Sequence, residues 1–312
     1  MKVCMTTDPF PIQRDLTPDA PGVVVVQMVQ EGRPVVVLNE DLIRRLEATF
    51  KTIPSDARGL ILASASPRAF VAGADLKAIQ DLSDDDLRRY LEYGSRVFGM
   101  LTEMPMPTVA AIHGAALGGG LELAMHCDGI VACPPSPTEE GQPGRPYMLG
   151  LPEAGLGICP GWGGTNLLPG WMNSGDAIRR TATGRPMTVE DASKAGLFDA
   201  VAPDLRSLLT TAAGWVSSQA TPARDGAPSR CISRSPAQAK ILAALDAVRE
   251  ELVPASGAGT PAAGAVVEAI DAGLSQGWQA GLSSERESLI RLRHTPEAKA
   301  AIEAFFAKSA QK

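Results

Sequence analysis

The sequence predicts an α/β protein: a parallel sheet covered by helices, followed by a C-terminal portion built from helices alone. Three observations carry this expectation. Before Pro203, extended apolar runs alternate with stretches of helical periodicity, and after it only helical stretches remain. The run GLILA within Arg58–Ala63 is continuously apolar instead of alternating, as suits a strand covered on both faces. Small-residue turns join strand to helix at Ala72-Gly73-Ala74 and at Gly118-Gly119-Gly120, and a glycine-rich segment after Glu153 leads into a further helix.

The elements follow in order. Residues 1–20 carry three prolines among polar side chains, so residues 1–21 are expected to form a loosely held leader. VVVVQMVQ after Gly22 reads as a strand, Glu31-Gly32 as a turn and Arg33–Leu38 as an extended return. Asn39 stands at an N-cap position, and Leu42, Ile43, Leu46 and Phe50 recur behind it at helical spacing. Ser83 with Asp84, Asp85 and Asp86 reads as a helix start whose acids complement the N-terminal dipole, in preference to a metal site. Cys133–Gly150, dense in Pro, Gly and Ser, reads as a loop. Its part from Pro134 to Arg145, including Glu139 and Glu140, is expected to be a solvent-exposed insertion without catalytic residues.

SGDAIRRTATG and TVEDASKAGL are expected as helices capped by Ser or Thr and closed by Gly184 and Gly196. FDAVA reads as a short strand, Leu205–Ser218 as a helix and Ala220–Ser235 as a linker. The three runs AQAKILAALDAVREELV, PAAGAVVEAIDAGLSQGWQAGLSSERESLIRLRH and TPEAKAAIEAFFAKSAQK read as helical. The expected organisation is therefore a leader, a core over 22–203 and a helical portion over 204–312.

Composition narrows the function classes. A chain of 312 residues, 45% hydrophobic, can bury a substantial core. A net charge of −6 and few aromatics argue against a nucleic-acid partner. The five cysteines, Cys4, Cys127, Cys133, Cys159 and Cys231, are odd in number and far apart. They are expected as reduced thiols in the cytoplasm, with no disulfide framework and no metal spacing. Neither an export signal nor a membrane span is indicated. His113, His126 and His294 lack ligand spacing and read as structural, and no nicotinamide fingerprint follows a strand.

The central stretch is PMPTVAAIHGAALGGGLELAMHCDGIVA, Pro105 to Ala132. It reads as a buried strand, Thr108–His113, then a turn stripped of side chains, then a helix bearing Glu122 on its first turn. A bare helix start offers free N–H groups to a carbonyl or anion. The other reading of the glycines, close packing of helix on strand, stays open at this point. Upstream, in SASPRAFVAGADLKAI, Phe70-Val71 ends a strand and Asp75 begins a helix; downstream, Glu153 sits on a turn in LPEAGLGICPGWGGTNLLP.

These segments, in this order and followed by GRPMTVEDASKAGLFDAV, resemble the crotonase superfamily of enoyl-CoA hydratases and isomerases. The resemblance runs from about Gly22 to Val201 and weakens beyond, though Pro261–Phe306 looks like the end of the hydratase portion of larger bifunctional β-oxidation enzymes. It implies a crotonase-like core of ββα units and an oxyanion hole made by the backbone N–H groups of Ala74 and Gly119. It also implies coenzyme A contacts at Ala72, Asp75 and Leu76, and two catalytic glutamates, Glu122 activating water and Glu153 protonating the α-carbon. The Asp75 side chain itself reads better as a helix cap.

The implied activity is that of an enoyl-CoA hydratase, a lyase of fatty-acid β-oxidation, with no cofactor beyond the coenzyme A of its substrate and no metal. The implied assembly is a homotrimer or a dimer of trimers, held through helices such as the one carrying Ile241, Leu242, Leu245 and Val248. Double-bond isomerisation or another acyl-CoA reaction on the same scaffold, and a non-catalytic acyl-CoA-binding subunit, are the alternatives.

Overall fold

The structure, a computed structural model, describes residues 8–309 except 16–18, 34, 139, 143, 222 and 254–258. The stretch expected as a loose leader contains β1 (Ile12–Arg14), which pairs antiparallel with β2 (Val23–Met28). Phe10 is buried, with the Arg45 guanidinium 4.0 Å from its ring centroid. Residues 8–15 are thus held by the sheet, and residues 1–7 and 16–18 of that leader lie outside the described residues.

The described residues of the extended return over 33–38 form no sheet strand. The Gln30 side-chain amide donates to Val37 O at 2.9 Å and accepts from Val37 N–H at 2.8 Å, occupying the groups a ladder would need. What remains lies beside residues 72–74: Ala72 N–H donates to Val36 O and Leu38 N–H to Gly73 O.

The helix α1 (Glu40–Lys51) starts as expected, with Asn39 Oδ1 accepting from Leu42 N–H at 2.9 Å. There follow β3 (Gly59–Ser64), β4 (Ala69–Val71), α2 (Leu76–Asp81), α3 (Asp84–Thr102) and β5 (Thr108–Ile112). Ser83 Oγ caps α3 by accepting from Asp86 N–H. The acids behind it are engaged by cations, Asp84 by Arg293 and His294, Asp85 by Arg88, and Asp86 by Arg89. A short strand the sequence did not suggest, β6 (Ala115–Leu117), stands between β5 and α4 (Gly119–Met125).

After β7 (Gly129–Ala132) and the buried Cys133, the described residues of the expected loop are exposed, apart from the half-buried Pro135 and Gly144, until half-buried Tyr147. Its end is a strand, β8 (Met148–Gly150). Tyr147 Oη donates to Cys133 O at 2.7 Å and closes the base of the loop. Within it, Thr138 N–H donates to Gln142 O, and a side chain at Gly144 would strike Ser136 O, so the two limbs run close together.

The remaining elements are α5 (Gly164–Trp171), α6 (Ser174–Thr183), β9 (Met187–Thr188), α7 (Val189–Lys194), β10 (Ala200–Val201) and α8 (Leu208–Ser218). Then come α9 (Gln238–Leu252), α10 (Pro261–Gln276), α11 (Trp278–Leu292) and α12 (Pro296–Ser309). The cap of α6 is Asn173, which accepts from Asp176 N–H, in place of the expected Ser. The long helical run after Pro261 is broken at Gly277, whose φ of +91° a helix cannot contain.

The chain forms two compact units, each assembled from three segments, so the core expected over 22–203 contributes to both. The first comprises residues 1–74, 93–149 and 187–229. Its main sheet has the order β1-β2-β3-β5-β7-β10, parallel except for β1. Alternate residues Val23, Val25, Ile61, Ala63, Val109, Ala111 and Val131 bury one face against Leu208, Ala212, Ala213 and Val216 of α8. Each Val, Ile or Leu so buried is worth about 1.5–3 kcal/mol. Gly129 makes room for Trp215, since a Cβ there would lie 2.1 Å from the indole. The smaller sheet has the order β4-β6-β8-β9.

The second unit, residues 75–92, 150–186 and 230–312, is helical. Helix α10 is its centre, packed on α5, α6, α9 and α11. Asn166 of α5 wedges between α10 and α11: its Nδ2 donates to Ala269 O at 3.0 Å, and a Cβ at Gly273 or Gly281 would collide with its amide. On α9, Ile241, Leu245 and Val248 are buried within this unit, whereas Leu242 is 45% exposed.

Candidate active site

In the first unit, parallel pairing sets two backbone turns side by side. Val71 of β4 stands opposite Ala116 of β6, so Ala74 and Gly119 each lie three residues beyond a matched pair. Gly73, at φ +114°, passes so close to Leu117 O that a Cβ would sit 3.3 Å from it. Leu38 is bridged to Ala74 through the Gly73 carbonyl, which leaves the N–H of Ala74 outside that bond.

Gly118 has φ +51° and ψ −127°, a conformation reserved for glycine. Gly119 is the first residue of α4, where an N–H has no intrahelical acceptor. At Gly120 a Cβ would lie 2.3 Å from Val71 O. The three glycines thus do different things: Gly118 makes the turn, Gly119 presents a bare N–H, and Gly120 lets the helix start abut β4. The close-packing reading holds at Gly120.

Glu122 sits on that first turn, 1% exposed. Its carbonyl accepts from His126 Nδ1 at 2.8 Å, which fixes the proton on that nitrogen. Burial pushes the His126 imidazole down to about 4, so it stays neutral, edge-on to Phe98. His113 Nε2 meets Ser66 O at 2.6 Å and His294 pairs with Asp84, so all three histidines serve local bonds. Among the described residues no cluster of three or more metal-ligating side chains is gathered.

Ala72, in the same unit, uses its N–H on Val36 O. The second unit holds Asp75, Leu76 and Glu153. Asp75 is the N-cap of α2, its Oδ1 accepting from the N–H groups of Lys77 and Ala78 at 3.1 and 3.3 Å, and Leu76 is the first helical residue.

Glu153 opens a one-turn 3-10 helix, Glu153–Leu156, closed by Gly157 in the left-handed conformation. The residue is half-buried, but its Oε2 is fully enclosed and has no hydrogen-bond partner among the described residues. Desolvation, with the charge of Glu285 as a smaller cause of the same sign, raises its carboxyl well above the ordinary range.

Glu285, on α11, escaped the sequence reading. It is fully buried, with Oε2 accepting from Gly163 N–H at 2.6 Å and Oε1 from Thr165 N–H at 2.7 Å. The available signal was its position: with Trp278, Leu282, Leu289 and Leu292 it occupies the buried stripe of its helix, where an acid is rare unless partnered.

The sequence profile of the enoyl-CoA hydratase/isomerase family matches residues 20–226. The chain belongs to that family. The family binds acyl-CoA thioesters. Among solved structures, an enoyl-CoA hydratase from Bacillus anthracis is 26% identical, covering 96% of this chain and 97% of its own, with a TM-score of 0.59. Two more distant structures share the fold. Pseudomonas aeruginosa DspI is 22% identical, covering 92% and 91% with a TM-score of 0.55. An enoyl-CoA hydratase from Thermoplasma volcanium is 17% identical, covering 91% and 93% with a TM-score of 0.56. No helix among the described residues is long and apolar enough to cross a membrane.

Proposed function

We propose that the chain is an enoyl-CoA hydratase, adding water across the 2,3 double bond of a 2-enoyl-CoA thioester. The observation that carries this reading is the enclosed carboxyl of Glu153, raised well above the ordinary range by desolvation. Glu153 is in surroundings that favour a proton on it, with an enclosed Oε2 that has no hydrogen-bond partner among the described residues and desolvation outweighing a backbone hydrogen bond that favours the anion. Glu122 stands two residues beyond Gly120, on the first turn of α4. Addition of water needs an acid and a base; Glu153 suits the first, and Glu122, buried on the first turn of α4, is proposed as the second.

In the proposed reaction Glu122 takes a proton from water as the oxygen bonds to the β-carbon. The electron pair of the double bond moves toward the thioester oxygen, where the N–H groups of Ala74 and Gly119 stabilise the developing charge. Glu153 then delivers its proton to the α-carbon. A preorganised donor at such an oxyanion is worth about 2.7–4 kcal/mol. Coenzyme A is proposed to lie along Ala72, Asp75 and Leu76. Because Asp75 Oδ1 is already committed to capping α2, its contact is assigned to backbone atoms. The proposed setting is fatty-acid β-oxidation in the cytoplasm, without a further cofactor.

The test is an assay of purified protein with 2-enoyl-CoA esters of short and long chain, following loss of the conjugated thioester absorbance. Hydration is expected. Double-bond migration without water uptake would replace this reading with the isomerase, and absence of turnover on every ester would end both.

A further inference from the structure

In the second unit Arg293 is 5% exposed, a rarity for a side chain that keeps its charge wherever it lies. It is the C-cap of α11, and Thr295 just beyond it caps α12 by accepting from Ala298 N–H. The side chain therefore leaves from a point fixed by two helices, and it reaches two others. Nη1 donates to Ile79 O near the end of α2, where no intrahelical N–H is available, and Nη2 donates to Asp84 Oδ1 in the first turn of α3. One guanidinium thus ties the end of α2 to the start of α3 across Leu82 and Ser83.

The two helices differ in what else holds them. Helix α3 is joined to α11 by two further ion pairs of opposite sense, Arg88 with Glu287 and Arg286 with Glu92, and its Leu87, Tyr90 and Leu91 are buried. Helix α2 has six residues, too few to be stable by itself in water, and its buried side chain is Ile79. The bonds of its charged residues, Asp75 to the N–H groups of Lys77 and Ala78 and Lys77 to Asp81, stay inside the helix and its cap. Ile79 is therefore gripped twice, by burial of its side chain and by Arg293 at its carbonyl. Its N–H donates to Asp75 O, so the hold passes back through one turn to the start of α2.

We propose that Arg293 is a positioning residue for the coenzyme A part of the substrate: by joining Ile79 O to Asp84 it fixes the turn of α2 that begins at Asp75 and Leu76. This rests on the assignment of those two residues to the coenzyme. It makes affinity for the coenzyme, more than the rate of the chemical step, the quantity that Arg293 governs. A lysine would serve less well, because its single ammonium lacks the planar fork that meets a carbonyl and a carboxylate on separate nitrogens. His294 Nε2 also meets Asp84 Oδ1, so Asp84 keeps a partner when the guanidinium is removed, and the loss falls on α2.

The experiment compares the full chain with Arg293→Met and Arg293→Lys. Coenzyme A binding is measured by calorimetric titration, and turnover with a 2-enoyl-CoA ester and with the matching N-acetylcysteamine thioester, which lacks the nucleotide end. In Arg293→Met, Kd for coenzyme A and KM for the CoA ester are expected to rise by about tenfold or more, the scale of one hydrogen bond from a charged group. Turnover at saturation, and kcat/KM on the truncated ester, should hold within a few-fold, as loss of binding alone requires. Arg293→Lys keeps the proposal testable if Arg293→Met does not fold. In it Kd should rise by less, and amide exchange at Ile79 and Leu82, which bond to Asp75 O and Ala78 O, should quicken while the interior amides of α11 hold.

Equal losses on the two esters, coenzyme A binding unmoved in both variants, or α2 exchange unmoved in Arg293→Lys overturns the proposal, as does a wild type that binds no coenzyme A. A wild type that binds it without hydrating any ester, with binding weakened in the variants, supports the role of Arg293 and removes the hydratase reading.

Discussion

At the scale of single residues, the proposed chemistry places most weight on two carboxylic acids. Glu122→Gln and Glu153→Gln are each expected to lower kcat by roughly 10²–10⁴-fold, the usual contribution of a positioned acid or base. KM should change little, because the thioester would still be met by Ala74 and Gly119. The double variant should lose much less than the product of the singles, since groups sharing one step are not additive. One fully active single variant would remove the two-carboxyl mechanism.

Glu153 also leaves a thermodynamic trace. An unfolded glutamate titrates near about 4.3, and burial raises the folded one to about 8. Between those values the folded state holds a proton the unfolded state has released, so stability falls as pH rises through the window. Glu153→Gln has nothing to ionise. Its Tm relative to wild type is expected to improve from pH 5 to pH 8 in calorimetry, and a constant difference would show that Glu153 is not held protonated. The sequence motifs pointed to Glu122 and Glu153 through resemblance. They could not point to Glu285, whose backbone partner Gly163 is 122 residues away.

At the scale of elements, the glycines divide into those that a side chain would wreck and those it would help. A methyl at Gly120 would sit 2.3 Å from Val71 O and push α4 off β4, carrying Gly119 and Glu122 with it. Gly120→Ala is therefore expected to abolish turnover and lower Tm. Gly99, inside α3, has nothing within 4 Å of its would-be Cβ. Gly99→Ala should raise stability by about 0.5–1 kcal/mol with activity intact, as replacing an interior helical glycine usually does. Equal effects of the two substitutions in thermal melts and turnover assays would contradict this account.

Legibility follows the same physics at this scale. Strands β2, β3 and β5 and the Asn39 and Ser83 caps were readable because each is a local pattern of several residues. Strand β6 was not, because three residues between two turns have no period to detect. Strand β8 was hidden behind a Pro- and Gly-rich stretch. The break between α10 and α11 hangs on the single residue Gly277, in a run otherwise helical by composition.

At the scale of the whole molecule, alternation of strands and helices gave the fold class, but not the interleaving. Residues 75–92 and 150–186 belong to the helical unit although they precede Pro203, because unit membership is decided by contacts remote in sequence. A homotrimer or dimer of trimers is the proposed assembly. The stripe expected to hold it is largely spent inside its own unit, which leaves Leu242 with Phe305 and Phe306 as exposed apolar side chains on α9 and α12. Light scattering at micromolar concentration is expected to give three or six times the chain mass, and a monomer would refute the assembly. The excursion over Pro134–Arg145 is expected to be dispensable for chemistry. Glu140, exposed on it, can be tested directly: Glu140→Ala should leave kcat within a few-fold, and a hundredfold loss would make the loop catalytic.

The clasp at the foot of that excursion has a practical consequence. Cys133 and Tyr147 are joined there by a hydroxyl-to-carbonyl bond, and Val189 N–H holds the Tyr147 carbonyl from β9's side. Whatever is spliced between residues 136 and 144 starts and ends at two points already fixed by the scaffold. That makes the tip a natural port for an affinity tag or a fluorophore-accepting cassette, and a reporter placed there would tumble on its own tether while the strands beneath keep their register.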